Sequence, residues 1–81
     1  MKLLITGGAG FIGSNFVFHM RKAHPEYDLV CVDKLTYAGN LETLASVMDD
    51  PKFTFIKADI ADRKAIDQIF ETQKPDIVVN F

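Results

Sequence analysis

Residues 5–16 read ITGGAGFIGSNF and place four glycines in seven positions: Gly7, Gly8, Gly10 and Gly13. Before them runs KLLIT (2–6), a short apolar run with the pattern of a buried strand. After them no Gly or Pro occurs until Pro25, and Phe11 to about Ala23 reads as a helix with Phe11, Ile12, Phe16, Val17 and Met20 on a broad apolar face. The glycines therefore sit at a strand-to-helix turn. GAGFIG fits G-x-G-x-x-G through Gly8, Gly10 and Gly13, and the same stretch fits G-x-x-G-x-x-G through Gly7, Gly10 and Gly13. The first glycine of such a turn lets the chain leave the strand sharply, at a positive φ that costs other residues energy. The middle one removes a Cβ that would hold the backbone away from a phosphate, and the last lets the helix pack closely on the sheet. The helix start carries unpaired N–H groups and about half a positive charge. A pyrophosphate is stabilised there without a basic side chain, which suits a loop that has no Lys or Arg.

The rest of the chain alternates in the same way. HPEYD (24–28) is a turn, and LVCVD (29–33) is a second, β-branched strand. KLTYAGN (34–40) is a loop whose Asn40 can cap a helix from Leu41 to about Met48, with Leu41, Leu44, Ala45 and Met48 at helical spacing. After the turn DDPK (49–52), FTFIKAD (53–59) is a third strand. Asp62 caps a helix to about Thr72 that sets Ile66, Ile69 and Phe70 on one side, and Ile77 to Phe81 is a fourth strand. The order is βαβαβαβ. Strands apolar on both faces and joined by helices predict a parallel sheet covered on both sides. With right-handed crossovers the expected fold class is α/β, the first half of a Rossmann-like doubly wound parallel sheet with strand order 3-2-1-4.

That context sharpens the glycine motif, because an acidic residue ends the second strand. Asp33 lies 20 residues after Gly13. A carboxylate at that tip accepts hydrogen bonds from both ribose hydroxyls of an adenosine and repels a 2′-phosphate, so NAD is favoured over NADP. Lys34 qualifies that preference, since a basic neighbour tolerates a phosphate. The third strand ends on Asp59 and Ile60. There a carboxylate can accept from the adenine amino group and an apolar side chain can cover the ring; helix-capping chemistry within DIAD (59–62) is the other reading of Asp59.

Composition narrows the class further. The chain has 81 residues, a net charge of −2 and one cysteine, Cys31. The charge gives no reason to expect nucleic acid or an anionic membrane as a partner. No apolar run approaches the ~20 residues of a membrane span, and the first residues lack a signal-peptide core, so a cytoplasmic protein is expected. A single Cys excludes a disulfide framework, and His19 and His24 stand apart, without metal-ligand spacing. The final DIVVNF is a buried-strand pattern that stops at its own last residue, which reads as a fragment. A fourth strand without an outer neighbour is expected to be covered by dimerisation.

TGGAGFIGS (6–14) followed by DKLTYAGN (33–40) resembles the extended short-chain dehydrogenase/reductases that act on nucleotide sugars, and among them the dTDP-glucose 4,6-dehydratases. The glycine segment is shared with UDP-galactose 4-epimerases and nucleotide-sugar decarboxylases; DKLTYAGN is the more specific part. The resemblance covers all 81 residues, about the first quarter of a typical member. It implies that Gly7, Gly10 and Gly13 carry a pyrophosphate turn with Phe11 and Ile12 at the phosphates. It places Asp33, Lys34, Leu35, Thr36 and Gly39 around the adenosine ribose, Asp59 and Ile60 beside adenine, and Phe81 at the cofactor. The implied domain is the N-terminal part of an NAD-binding Rossmann domain, with the substrate domain outside this chain. The implied activity of the parent is that of an NAD-dependent lyase. It oxidises C4 of dTDP-glucose, eliminates water across C5 and C6 and reduces C6, giving a 4-keto-6-deoxy sugar nucleotide. A homodimer is expected. The family's Tyr-x-x-x-Lys pair, active-site Thr and Asp-Glu pair fall beyond Phe81, and Tyr37 is not that tyrosine, since Leu41 stands four residues on. A non-catalytic NAD-sensing module is the alternative of another class.

Overall fold

The computed structural model describes residues 1–7, 10–34 and 44–81, and of Phe11 it describes the backbone alone. In chain order the elements are β1 (Lys2–Thr6), α1 (Phe11–Ala23), β2 (Asp28–Asp33), β3 (Phe53–Lys57), α2 (Arg63–Gln73) and β4 (Ile77–Asn80). The four strands form one parallel sheet in the order β3-β2-β1-β4, as expected. Register brings the carboxyl ends level: Thr6 lies opposite Val32 and Asn80, and Asp33 opposite Lys57.

Alternation along the strands sends apolar side chains to both faces, and each face has its own cover. On one, Leu3, Ile5, Leu29, Cys31 and Phe53 pack with Val17 of α1 and with Leu44 and Val47. On the other, Leu4, Val30 and Val32 pack with Ile69 of α2. The central strands β1 and β2 are accordingly almost fully buried, while Ile77 and Val78 of β4 are exposed.

Besides the exposed β4, whose DIVVNF reads as a buried strand, three details differ from the sequence expectation. Residues 44–50 make successive i→i+3 bonds: Val47 N–H donates to the Leu44 carbonyl at 3.0 Å and Asp50 N–H to that of Val47 at 3.0 Å. The described part of the expected second helix is therefore a run of tight turns, and at three-residue spacing it buries Leu44 and Val47 while Ala45 stays exposed. Leu41 and its cap Asn40 lie outside the described residues. In α1, Ile12 is 68% exposed and takes no part in the core, whereas Phe18 packs against it. In α2, Ile69 is buried but Phe70 is 40% exposed. Asp62 caps α2 as expected, its Oδ1 accepting from Ala65 N–H at 3.2 Å.

Arg21 clasps the far end of the sheet. Its Nη atoms donate to the Tyr27 carbonyl at 2.7 Å and the Pro25 carbonyl at 2.5 Å. Its Nε lies 3.2 Å from Asp50 Oδ2, an ion pair without hydrogen-bond alignment. One side chain so ties the end of α1 to both the entry of β2 and the entry of β3.

Candidate nucleotide-binding cleft

The exit from β1 explains the first glycine. Gly7 has φ +74°, and its N–H donates to the Val32 carbonyl at 2.9 Å, extending the β1–β2 ladder by one bond before the chain turns away. A Cβ at Gly7 would meet the Phe81 carbonyl oxygen at 3.0 Å. Positive φ and close approach therefore both favour glycine here. The Gly7 carbonyl accepts from Gly10 N–H at 3.2 Å, and Gly10 stands at the N-cap of α1 in an extended conformation. No side chain caps this helix, and its first turn has no acidic residue. An anion placed there would meet a helix start whose own N-cap and first turn supply neither a capping side chain nor an acidic group. Gly13 is buried within the first turn of α1.

The carboxyl ends of the strands enclose an open cleft of about 280 Å³. Thr6 and Gly7 form its floor from β1, and Val32, Asp33 and Lys34 one wall from β2. Ala58, Asp59 and Ile60 enter from the segment after β3, and Phe81 from the end of β4. In a parallel doubly wound sheet this is where ligands bind, because the strand ends diverge there and leave a crevice. The Gly7 bend, Asp33, Lys34, Asp59, Ile60 and Phe81 thus line one cleft. Gly10 and Ile12 follow at the start of α1, with Ile12 exposed. Leu35, Thr36, Gly39, Tyr37 and Gly8 lie outside the described residues.

Each wall is held by local chemistry. Asp33 is only 4% exposed, although its strand ends there, and its carbonyl accepts from Ala58 N–H at 3.2 Å. That bond carries the β2–β3 pairing past the last strand residue and fixes the two tips side by side. Asp59 Oδ1 accepts from Ala61 N–H at 2.9 Å, an Asx turn that reverses the chain toward α2. Its Oδ2 lies 3.6 Å from Lys34 Nζ. Asp59 therefore shapes the turn before α2, whose N-cap is Asp62 rather than Asp59, and it lines the cleft. The Ile60 and Phe81 side chains are 55% and 49% exposed, apolar surface beside polar groups. The Phe81 ring rests on Phe16, centroids 5.4 Å apart, which anchors the end of β4 to α1.

Sequence reasoning missed Thr6, Val32 and Ala58, small or apolar residues whose only signal is their place at strand ends. It also missed the Thr6 hydroxyl donating to the Asn80 side chain across the β1–β4 register, which locks the cleft floor to β4.

A family model described as GDP-mannose 4,6 dehydratase matches residues 4–81. Among curated proteins, the dTDP-glucose 4,6-dehydratase of Neisseria meningitidis serogroup B is 49% identical over 79 residues, 98% of this chain and 22% of that protein. That of Shigella flexneri is 51% identical over 80 residues, 99% of this chain and 22% of that protein. The chain thus spans about a fifth of the length of these relatives. Among solved structures, dTDP-glucose 4,6-dehydratase from Bacillus anthracis in complex with NAD is similar at a TM-score of 0.95 and 40% identity, covering 100% of this chain and 26% of that one. The UDP-Glc/GlcNAc 4-epimerase of Campylobacter jejuni reaches a TM-score of 0.87 at 30% identity, over 99% of this chain and 23% of that one.

Proposed function

The chain belongs to the GDP-mannose 4,6-dehydratase family, and from that premise we propose that it is the opening part of an NAD-binding Rossmann domain and that its cleft holds the adenosine and phosphate half of NAD. The observation that carries this reading is the single cleft that collects the positive-φ Gly7 bend, the buried Asp33 and the Asp59–Ile60 tip.

Each residue has a task in that reading. The amides that open α1 receive the pyrophosphate, Gly7 and Gly10 keep Cβ atoms out of its way, and Ile12 shields it from water. Asp33 accepts from the ribose hydroxyls at a depth where water competes poorly. Asp59 accepts from the adenine amino group and Ile60 lies against the ring. Phe81 closes the cleft where β4 delivers its end. When bound, NAD supplies reversible hydride transfer, and this chain's part is to fix its adenosine end so that the other end is presented to the remainder of the enzyme.

For the parent protein the reading is an NAD-dependent lyase of the dTDP-glucose 4,6-dehydratase type, working on the nucleotide sugar as a cytoplasmic homodimer. Identities near 50% to dehydratases, against 30% to the epimerase, support dehydration over epimerisation. Among the described residues no helix is long and apolar enough to cross a membrane. Calorimetric titration of the chain with NAD and with ADP-ribose tests the cleft. Similar affinities for the two are expected, because this chain would touch the adenosine and phosphate half; absence of binding for both refutes the reading.

A further inference from the structure

The cleft contains one cation among its described lining residues, and that cation is already engaged. Lys34 Nζ lies 3.6 Å from Asp59 Oδ2, the side chains being 50% and 45% exposed. Lys34 leaves the tip of β2 directly after Asp33, so it borders the position that the proposed function gives to the ribose hydroxyls. A cation at that tip is the ordinary means of accommodating a 2′-phosphate. The two partners are unequal in freedom. The Asp59 carboxylate is pinned by Ala61 N–H at 2.9 Å within a turn, whereas Lys34 swings on a four-carbon stem. Asp59 is therefore the anchor and Lys34 the group that is drawn over.

We infer that the Lys34–Asp59 ion pair is a specificity determinant: Asp59 holds the Lys34 ammonium toward the β3 side of the cleft and so withholds it from a 2′-phosphate. This rests on the dinucleotide reading above and adds a second mechanism to it. Asp33 disfavours NADP by repulsion, and Asp59 disfavours it by occupying the one cation that would offset that repulsion. An exposed pair of this kind shifts an equilibrium about two- to fivefold, and salt weakens it.

The test is calorimetric measurement of NAD and NADP dissociation constants for the unmodified chain, Asp59→Asn, Lys34→Gln and the double variant. Asn keeps one oxygen for Ala61 N–H, loses the charge and carries an amide NH2 in place of Oδ2; the change this makes at the adenine amino group is common to NAD and NADP and cancels in their ratio. In Asp59→Asn the ratio of the NADP to the NAD constant is expected to fall about two- to fivefold at low salt, and the fall shrinks as salt is raised. In the Lys34→Gln background the same substitution is expected to leave the ratio nearly unchanged. An equal fall in both backgrounds overturns the inference, because it assigns the effect to the Asp59 charge acting directly on the phosphate. An unchanged ratio in Asp59→Asn overturns it as well. Lys34→Gln alters an exposed side chain and decides the matter even if Asp59→Asn fails to fold: a ratio within about twofold of the unmodified chain supports capture, and a rise of about tenfold shows that Lys34 was available to the phosphate all along. Failure of the unmodified chain to bind NAD is a separate result, and it removes the parent reading together with this one.

Discussion

Replacing Gly7 by alanine tests whether the β1 exit needs the absence of a side chain. At φ +74° a residue with a Cβ carries a strain of about 1–2 kcal/mol. The new Cβ also lies 3.0 Å from the Phe81 carbonyl oxygen. Phe81 N–H donates to the Thr6 carbonyl at 3.1 Å, so relief of that contact loosens the last β1–β4 bond, at a cost of about 1 kcal/mol. Alanine recovers about 0.4–1 kcal/mol by restricting the unfolded chain. The expected net loss is about 1–2.5 kcal/mol, a fall of roughly 4–20 °C in melting temperature for a domain of this size. Urea and thermal unfolding followed by circular dichroism measure it directly. Asparagine tolerates the left-handed region better than alanine, so Gly7→Asn is expected to be the milder change despite its greater bulk. If Gly7→Ala unfolds within 0.5 kcal/mol of the unmodified chain, the bend is neither strained nor crowded and the reasoning fails. If Gly7→Asn is the worse of the two, crowding rather than φ governs the position.

Three further outcomes follow from the same geometry. Asp33→Ala is expected to weaken NAD binding by about 1–3 kcal/mol, the scale of a lost charged hydrogen bond; equal calorimetric affinity removes Asp33 from the site. Arg21→Ala is expected to destabilise the fold by about 2–3 kcal/mol, since it cuts two charged hydrogen bonds at once; Arg21→Lys should restore less than half of that in urea titrations, because one ammonium nitrogen cannot stand at the two positions of Nη1 and Nη2. Lys74 ends α2 at φ 48°, where glycine is the usual occupant. Lys74→Gly should raise stability by about 0.5–1 kcal/mol, and a loss of stability in the same assay would show that the lysine side chain holds the turn.

Much of this was legible in the residues because the physics is local there. KLLIT and LVCVD are apolar on both faces, and only a parallel sheet covered on both sides buries such strands; IVVN has the same pattern and pairs in the same sheet, yet Ile77 and Val78 are exposed there. The glycines mark the β1 exit, and Asp33 marks the tip of β2 by being charged at the end of an apolar run. The segment after Asn40 was harder. LETLASVM has helical spacing, yet its described part settles into i→i+3 turns, whose three-residue spacing packs Leu44 and Val47 into the core with strand residues such as Leu29 and Phe53. Ile12 and Phe70 were also misplaced, since periodicity marks a face without saying how much of it the sheet covers. The Lys34–Asp59 contact was hidden for a different reason: it joins residues 25 positions apart in the chain, and only the register of β2 against β3 brings them within reach. Thr6 and Ala58 carry no chemical signal of their own.

The most direct test of the nucleotide cleft is a titration of the isotopically labelled chain with NAD, followed by amide proton–nitrogen correlation spectra. The account predicts that the perturbed amides cluster at Gly7, Gly10, Ile12, Asp33 and Asp59, at the carboxyl edge of the sheet and the opening of α1. Perturbations centred on the groove between β3 and α2, around Ile56, Gln68 and Thr72, or none at saturating NAD, would contradict it.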